Sequence, residues 1–259
     1  MTTASWSVVR RPQVEVLSEM PISERVVLMR ASALFMGLSE EQCWEIASWA
    51  RTRNFARDEL LFMQGQPVHS LMLIQAGSVK LTQLGSNGNE VILWMNGEGD
   101  AVDERADGTP HTHSCSARAM EQCRALSWEY NRLQNLLMEY PQIRKNINLI
   151  LSGRLRELEQ RFRVVATEKV AKRLAFTLLQ LLKVLGKHHE RGVQVSLSRE
   201  ELAQMTGTTL FTISRILSKW ADEGFVLPCR EAVVIRDPQR LGQLGDEVVG
   251  ERTPPVEDL

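Results

Sequence analysis

The chain has 259 residues, 43% of them apolar, enough for one large domain or two ordinary ones. Its net charge is −1, yet residues 144–240 hold 18 Lys and Arg against 10 Asp and Glu, a net +8 that leaves −9 for the remainder. Such opposed portions fit a nucleic-acid-facing module beside an acidic one, or ordinary solvated surface. The start shows no apolar run of the signal-peptide kind, and no stretch approaches the ~20 apolar residues of a membrane span, so a cytoplasmic protein with no membrane partner is expected. Cys43, Cys115, Cys123 and Cys229 form no CxxC pair, which argues against a disulfide framework or structural zinc and for buried, reduced thiols.

Met20 to Trp49 reads as short helices, with Ser39 placed to cap one whose apolar positions are Cys43, Trp44, Ile46 and Ala47. From Arg51 the period changes. Runs at Leu60–Met63, Leu71–Ile74, Val79–Leu81 and Val91–Trp94 alternate with Gly65, Gly77, Asn87-Gly88 and Gly97, which predicts strands with tight turns in a small antiparallel barrel or sandwich.

Leu126 to Arg163 is read as helical again, with Pro141 suited to the first turn of a long helix because its missing N–H would be unpaired there. Leu151, Leu155, Leu158, Phe162 and Val165 recur at spacings of four, three, four and three, a narrow apolar seam flanked by charge. A coiled-coil-like dimer contact is expected, with packing against the chain's own domains as the alternative. Ile143, Ile147 and Ile150 lie on a rotated face. Thr167 to Leu185 predicts a further amphipathic helix ended by Gly186, and the segment beyond Arg240 reads as a loose tail.

Ser196 to Asp237 carries the most information. Ser198 can cap a short helix through Ala203, Thr206-Gly207-Thr208 breaks it, and Thr208 or Thr209 can cap a second helix that turns Ile213, Ile216, Leu217 and Trp220 inward. Thr209, Leu210, Thr212, Ser214, Arg215 and Lys219 are left wholly or partly outward. Gly224 stops that helix, and Phe225–Leu227 with Val233–Ile235 predicts a two-stranded wing. Helix, turn and helix with a polar, basic outer face can enter a major groove; Arg215 can donate twice to a guanine edge and Lys219 can meet a phosphate. The plain alternative is a helical hairpin with no partner.

The segments LFMGLSEEQ, RTRNFARDELLFMQG, LIQAGSVKL, GEGD and, most specifically, LAQMTGTTLFTISRILSKW resemble the Crp/Fnr family of bacterial transcription regulators over about residues 30 to 240. The resemblance implies an α+β protein: a cyclic-nucleotide-binding-type β jelly roll, a long dimerisation helix and a C-terminal winged helix-turn-helix. It also implies a homodimer on a near-palindromic duplex, with RNA polymerase as a further partner. Arg215 falls on the arginine that members commonly use to read guanine, and Ser214 on a second contact position. Phe211 stands where many members hold a glutamate and Leu210 where some hold an arginine, which leaves the operator open; Phe211 can touch a thymine methyl or pack internally. Ser198, Arg199, Thr208, Thr209, Leu210, Phe211, Thr212, Ser214, Arg215 and Lys219 are thus the candidate DNA-binding residues, and Leu151, Leu155, Leu158 and Phe162 the candidate dimer interface.

The effector segment departs from the family pattern. Glu104 and Ser114 align with the ribose Glu and phosphate Ser of cyclic-nucleotide binders, but Asp103 replaces the glycine and His113 the phosphate arginine, which removes a bidentate fork. This argues against cyclic AMP binding of the usual family kind. His111, His113 and Cys115 form a soft cluster that could hold haem or a metal, set against the commoner case of solvated loop histidines, so no cofactor or effector is assigned.

The expected division is 1–29 an N-terminal extension, 30–129 an effector-sensing jelly roll, 130–166 connecting and dimerisation helices, 167–240 a winged helix-turn-helix and 241–259 a flexible tail. The function expected is an effector-modulated homodimeric DNA-binding transcription regulator. The alternative is a non-DNA-binding regulatory subunit that uses the same ligand-type domain. No nucleophile elbow, phosphate-binding glycine loop or metal-hydrolase helix motif supports an enzyme.

Overall fold

The computed structural model describes residues 19–86, 88, 90–102 and 112–246. Helices α1 (Ile22–Ala31) and α2 (Glu40–Ser48) come first, followed by strands β1 (Arg51–Phe55), β2 (Leu60–Phe62), β3 (Ser70–Ala76), β4 (Val79–Leu84), β5 (Glu90–Asn96), β6 (Ala101–Val102), β7 (Ser116–Ala119) and β8 (Cys123–Glu129). These form two four-stranded antiparallel sheets, ordered β1-β8-β3-β6 and β2-β7-β4-β5, the expected jelly roll. Phe55, Phe62, Ile74, Val79, Leu81 and Ala125 fill the space between the sheets.

The outer face of the first sheet carries a second core. There α1, α2, α3 (Tyr130–Glu139) and the start of α4 (Pro141–Thr167) bury Met29, Leu34, Ile46, Leu136 and Ile143 around Trp128, whose Nε1 donates to the Ile46 carbonyl at 2.9 Å. Ser39 caps α2 in a reciprocal box with Gln42, satisfying N–H groups that the helix itself cannot pair. Of the expected apolar positions on α2, Cys43, Ile46 and Ala47 are buried, whereas Trp44 stays exposed. Most of helix α1 falls within the span read as an extension, and its Val26, Leu28 and Met29 belong to the same core as Trp128.

Helix α4 begins at Pro141 as expected. Its rotated face is explained by packing: Ile143 and Ile147 are buried in the core beside the jelly roll, while Leu155, Leu158, Phe162 and Val165 are exposed further along. The helical reading from Leu126 is corrected, because Leu126–Glu129 is the end of β8. Cys123 and Ala125 face one core and Leu126 and Trp128 the other, so the strand is buried on both faces and its continuous apolar run mimics a buried helix.

The C-terminal domain comprises α5 (Val170–Leu185), β9 (Lys187–His189), β10 (Gly192–Val195), α6 (Arg199–Thr206), α7 (Leu210–Asp222), β11 (Val226–Pro228), β12 (Val233–Ile235) and α8 (Pro238–Asp246). The expected two-stranded wing is present, with β11 paired antiparallel to β12, and β10 and β9 extend it to a four-stranded sheet ordered β11-β12-β10-β9. Helix α8 runs into the span read as a tail, with Leu241 fully buried. Leu174, Leu178, Ile213, Leu217 and Phe225 build the core, which also receives Ile92 and Met95 from β5, so the jelly roll and this domain share apolar contact. Of the four thiols expected to be buried, Cys43, Cys115 and Cys123 are; Cys229, at the end of the wing strand, is exposed.

Candidate nucleic-acid interface

Ser198 caps α6: the Glu201 backbone N–H donates to Ser198 Oγ at 3.2 Å, and the Ser198 N–H donates back to Glu201 Oε2 at 2.9 Å. Glu200 and Glu201 sit in the first turn, where the helix dipole favours negative charge. Gly207 then ends the helix in the left-handed region, at φ 61° and ψ 48°, a conformation that costs a side-chain-bearing residue free energy and that glycine adopts freely. Thr209 caps α7 by accepting from the Thr212 N–H at 3.3 Å.

Two faces of α7 result. Ile213, Leu217 and Trp220 are buried, with Ile216 partly so, as the spacing predicted. Thr209, Leu210, Phe211, Arg215 and Lys219 are exposed, and Thr212 and Ser214 half-buried at the edge. Phe211 is 82% exposed, which disposes of internal packing as its role in this conformation. Among the described residues Arg215 enters no hydrogen bond or ion pair, leaving its planar fork open, whereas Lys219 lies 3.9 Å from Glu223 in a solvent-exposed i,i+4 pair.

The other candidates sit apart from that face. Ser198 is turned toward Glu201 and a polar cleft against the jelly roll, Arg199 is half-buried with its Nε unpaired, and Thr208 is half-buried in the turn. Missing from the sequence reading was what closes the cleft. Lys80 of β4 pairs with Glu201 at 2.7 Å, Arg57 with Glu231 at the wing turn at 2.9 Å, and Lys187 with Glu121 at 2.8 Å. No local pattern signals these pairs, because the partners lie far apart in sequence and meet only once both domains are folded. The β9–β10 hairpin was also missed; its signal was the two-residue turn Glu190-Arg191 followed by Gly192 at the start of the second strand.

In the jelly roll, Ser114 lines a cavity of about 190 Å³ together with Phe62, Leu93, Trp94, Leu151 and Leu155, which brings one expected effector residue against the seam helix. His113 is buried and stacks on Phe62, ring centroids 3.8 Å apart and planes 5° from parallel. An imidazole held flat on a phenyl ring offers no bidentate fork of the guanidinium kind. Glu104, Asp103 and His111 lie outside the described residues. Among the described residues no group of three or more His, Cys, Asp and Glu is arranged to hold a metal, and no helix is long and apolar enough to cross a membrane.

Residues 52–140 match the cyclic nucleotide-binding domain family and residues 172–244 the Crp-like helix-turn-helix domain family, together more than half of the chain. The chain is 26% identical over 219 residues to the CRP-like cAMP-activated global transcriptional regulator of Mycobacterium tuberculosis, across 84% of this chain and 97% of that protein. Among solved structures it is similar to FixK2 from Bradyrhizobium japonicum, with a TM-score of 0.67 and 23% identity over 76% of this chain and 97% of that one. It is also similar to the c-di-GMP responsive global regulator CLP of Xanthomonas campestris, with a TM-score of 0.66 and 25% identity over 77% and 100%. These families and relatives are those of regulators rather than enzymes. A jelly roll, a long helix and a helix-turn-helix DNA-binding domain in this order, with these matches, place the chain in the Crp/Fnr family of bacterial transcription regulators.

Proposed function

We propose that the protein is an effector-modulated homodimeric transcription regulator that reads a near-palindromic duplex with α7. The observation that carries this reading is the exposed outer face of α7, where Arg215 stands open between the Thr209 cap and Lys219. In the proposed complex Arg215 donates to guanine O6 and N7, Ser214 makes a second base contact, Phe211 and Leu210 meet thymine methyls, and Lys219 neutralises a phosphate. Thr208, Thr209 and Thr212 donate to the backbone near the helix N-terminus. Ser198 and Arg199 join them once the cleft against the jelly roll opens.

Homodimerisation is supported by the exposed seam of α4, where Phe162 is 75% exposed and Leu155 and Leu158 lie on the same stripe. A second copy would cover it, as two-fold pairing of the helices requires. Modulation by a small molecule is supported by the domain type and by relatives described as cAMP-activated and c-di-GMP responsive; the ligand changes the relative population of states in which α4 and α7 are differently placed. His113 and Ser114 belong to the proposed effector side. Action in the cytoplasm and contact with RNA polymerase complete the reading.

Selection of duplexes from a random pool tests it. Enrichment of a two-fold-related sequence with half-sites about one helical turn apart is the expected result. No affinity for any duplex at low salt would refute it and favour a regulatory subunit that never touches DNA.

A further inference from the structure

A second cavity, of about 290 Å³, lies where three parts of the chain meet, separate from the one beside Ser114. Its walls are the β5–β6 corner with Trp94, Asn96 and Asp100, α4 with Gly153 and Glu157, and α5 with Thr177. The corner is pressed onto α5: a Cβ on Gly97 would come within 2.8 Å of the Val184 carbonyl oxygen. Anything seated in the cavity therefore touches the jelly roll, the seam helix and the first helix of the DNA-binding domain at once.

The polar groups define what fits. Asn96 is only 2% exposed, and although its Nδ2 donates to the Ala101 carbonyl at 3.2 Å, its Oδ1 has no hydrogen-bond partner. A buried acceptor left unpaired costs free energy that a donor on a ligand would recover. The two cations at the rim are committed to the main chain: Arg161 donates to the Ile92 and Leu93 carbonyls and Arg154 to that of Ala101. Both guanidinium groups also flank the Trp94 ring, at 5.9 Å and 5.8 Å from its centroid. Asp100 and Glu157 would repel an anion, and Arg154 and Arg161 a cation. Apart from the uncharged polar side chains Ser32, Thr177 and Gln180, the remaining wall is apolar and aromatic, as in small-molecule sites at domain junctions.

We infer that this junction is a binding site for a small, uncharged aromatic molecule that carries an N–H or O–H donor for Asn96 Oδ1. Its role as an effector site rests on the regulator reading above; its occupancy does not. Gly153 provides the means to close it. A Cβ there meets nothing within 4 Å, so Gly153→Leu places a side chain in the open space without strain on the helix.

Isothermal titration calorimetry with indole, and with 1-methylindole as the analogue lacking the donor, tests the inference on the full chain without DNA. Indole is expected to bind the wild-type protein, 1-methylindole roughly threefold to tenfold more weakly, and Gly153→Leu at least tenfold more weakly, with its circular dichroism and thermal unfolding verifying an intact fold. Absence of indole binding, equal affinity for the two compounds, or undiminished binding by a folded Gly153→Leu protein would each overturn it. Because no duplex enters the measurement, failure here is distinct from failure of DNA recognition.

Discussion

Lys80 Nζ on β4 of the jelly roll lies 2.7 Å from Glu201 Oε1 on α6, and both side chains are largely removed from water, at 14% and 17% exposure. Glu201 uses its other oxygen to cap α6 at Ser198, so one carboxylate closes the first helix of the helix-turn-helix and fastens it to the jelly roll. Around it, Ile92 and Met95 enter the DNA-binding core, and Arg57–Glu231 ties down the wing turn.

Removing the cation alone leaves Glu201 charged in a poorly hydrated cleft. Lys80→Met is expected to lower stability by about 3 kcal/mol, toward the low end for a broken buried pair because both side chains keep some exposure. Urea unfolding measures it, and Lys80→Met combined with Glu201→Gln should recover part of the loss, since glutamine still caps the helix. A loss of the same size in the double variant would show that the ion pair is not the cause.

The same carboxylate gives the contact a pH dependence. Burial pushes the Glu201 carboxyl up, but hydrogen bonds from Lys80 and from the Ser198 backbone and side chain outweigh it and hold the group below its ordinary value. A depressed folded-state value means that its stabilisation is present above the unfolded value of about 4.3 and is lost as pH falls through the folded value. Between pH 6 and pH 3 the urea midpoint of Glu201→Gln should therefore fall less steeply than that of the wild-type protein. Parallel profiles would contradict the assignment.

The seam of α4 predicts an assembly. Covering Phe162, Leu155 and Leu158 gains up to about 1.5–3 kcal/mol for each side chain fully buried, and Phe162→Glu with Leu155→Glu would place charge in that stripe. Sedimentation equilibrium should return twice the chain mass for the wild-type protein and the chain mass for the double variant at micromolar concentration. A wild-type monomer under the same conditions contradicts the proposed dimer.

Thiol chemistry should single out one residue. Burial, and after it the charge of Glu121, pushes the Cys123 thiol up to about 11; burial likewise raises Cys43, and Cys115 is buried. Cys229 is exposed. Thiolate is the reactive form, so iodoacetamide at pH 8 should add once to the native protein, at Cys229, with the other three modified only on unfolding. Rapid addition at a second site would show that a buried cysteine is accessible.

The C-terminal half was the more legible in sequence, because helix caps and turns act locally. Ser198, Gly207 and Thr209 each announce a boundary through their own backbone chemistry, and the inward set Ile213, Leu217 and Trp220 follows the helical period. Strands without that local signature were lost. β1 is an edge strand whose Arg51, Arg53 and Asn54 face solvent, and β7 buries only Ala117 and Ala119, small residues of low strand propensity. The end of β8, Leu126–Glu129, reads as helix in the sequence because both faces of the strand are covered. Of the candidate site, the exposed face of α7 could be read from spacing, whereas Lys80, the four-stranded wing and the cavity under Asn96 depend on segments that only the fold brings together.

Placement of Arg215 against a guanine edge is tested most directly by 7-deazaguanine substitution in the selected duplex, which removes the N7 acceptor and leaves base pairing intact. The wild-type protein should lose at least about 1 kcal/mol of binding at one guanine in each half-site, and Arg215→Ala should lose nothing further at that position. An equal loss in both proteins, or no sensitive guanine in either half-site, would contradict it.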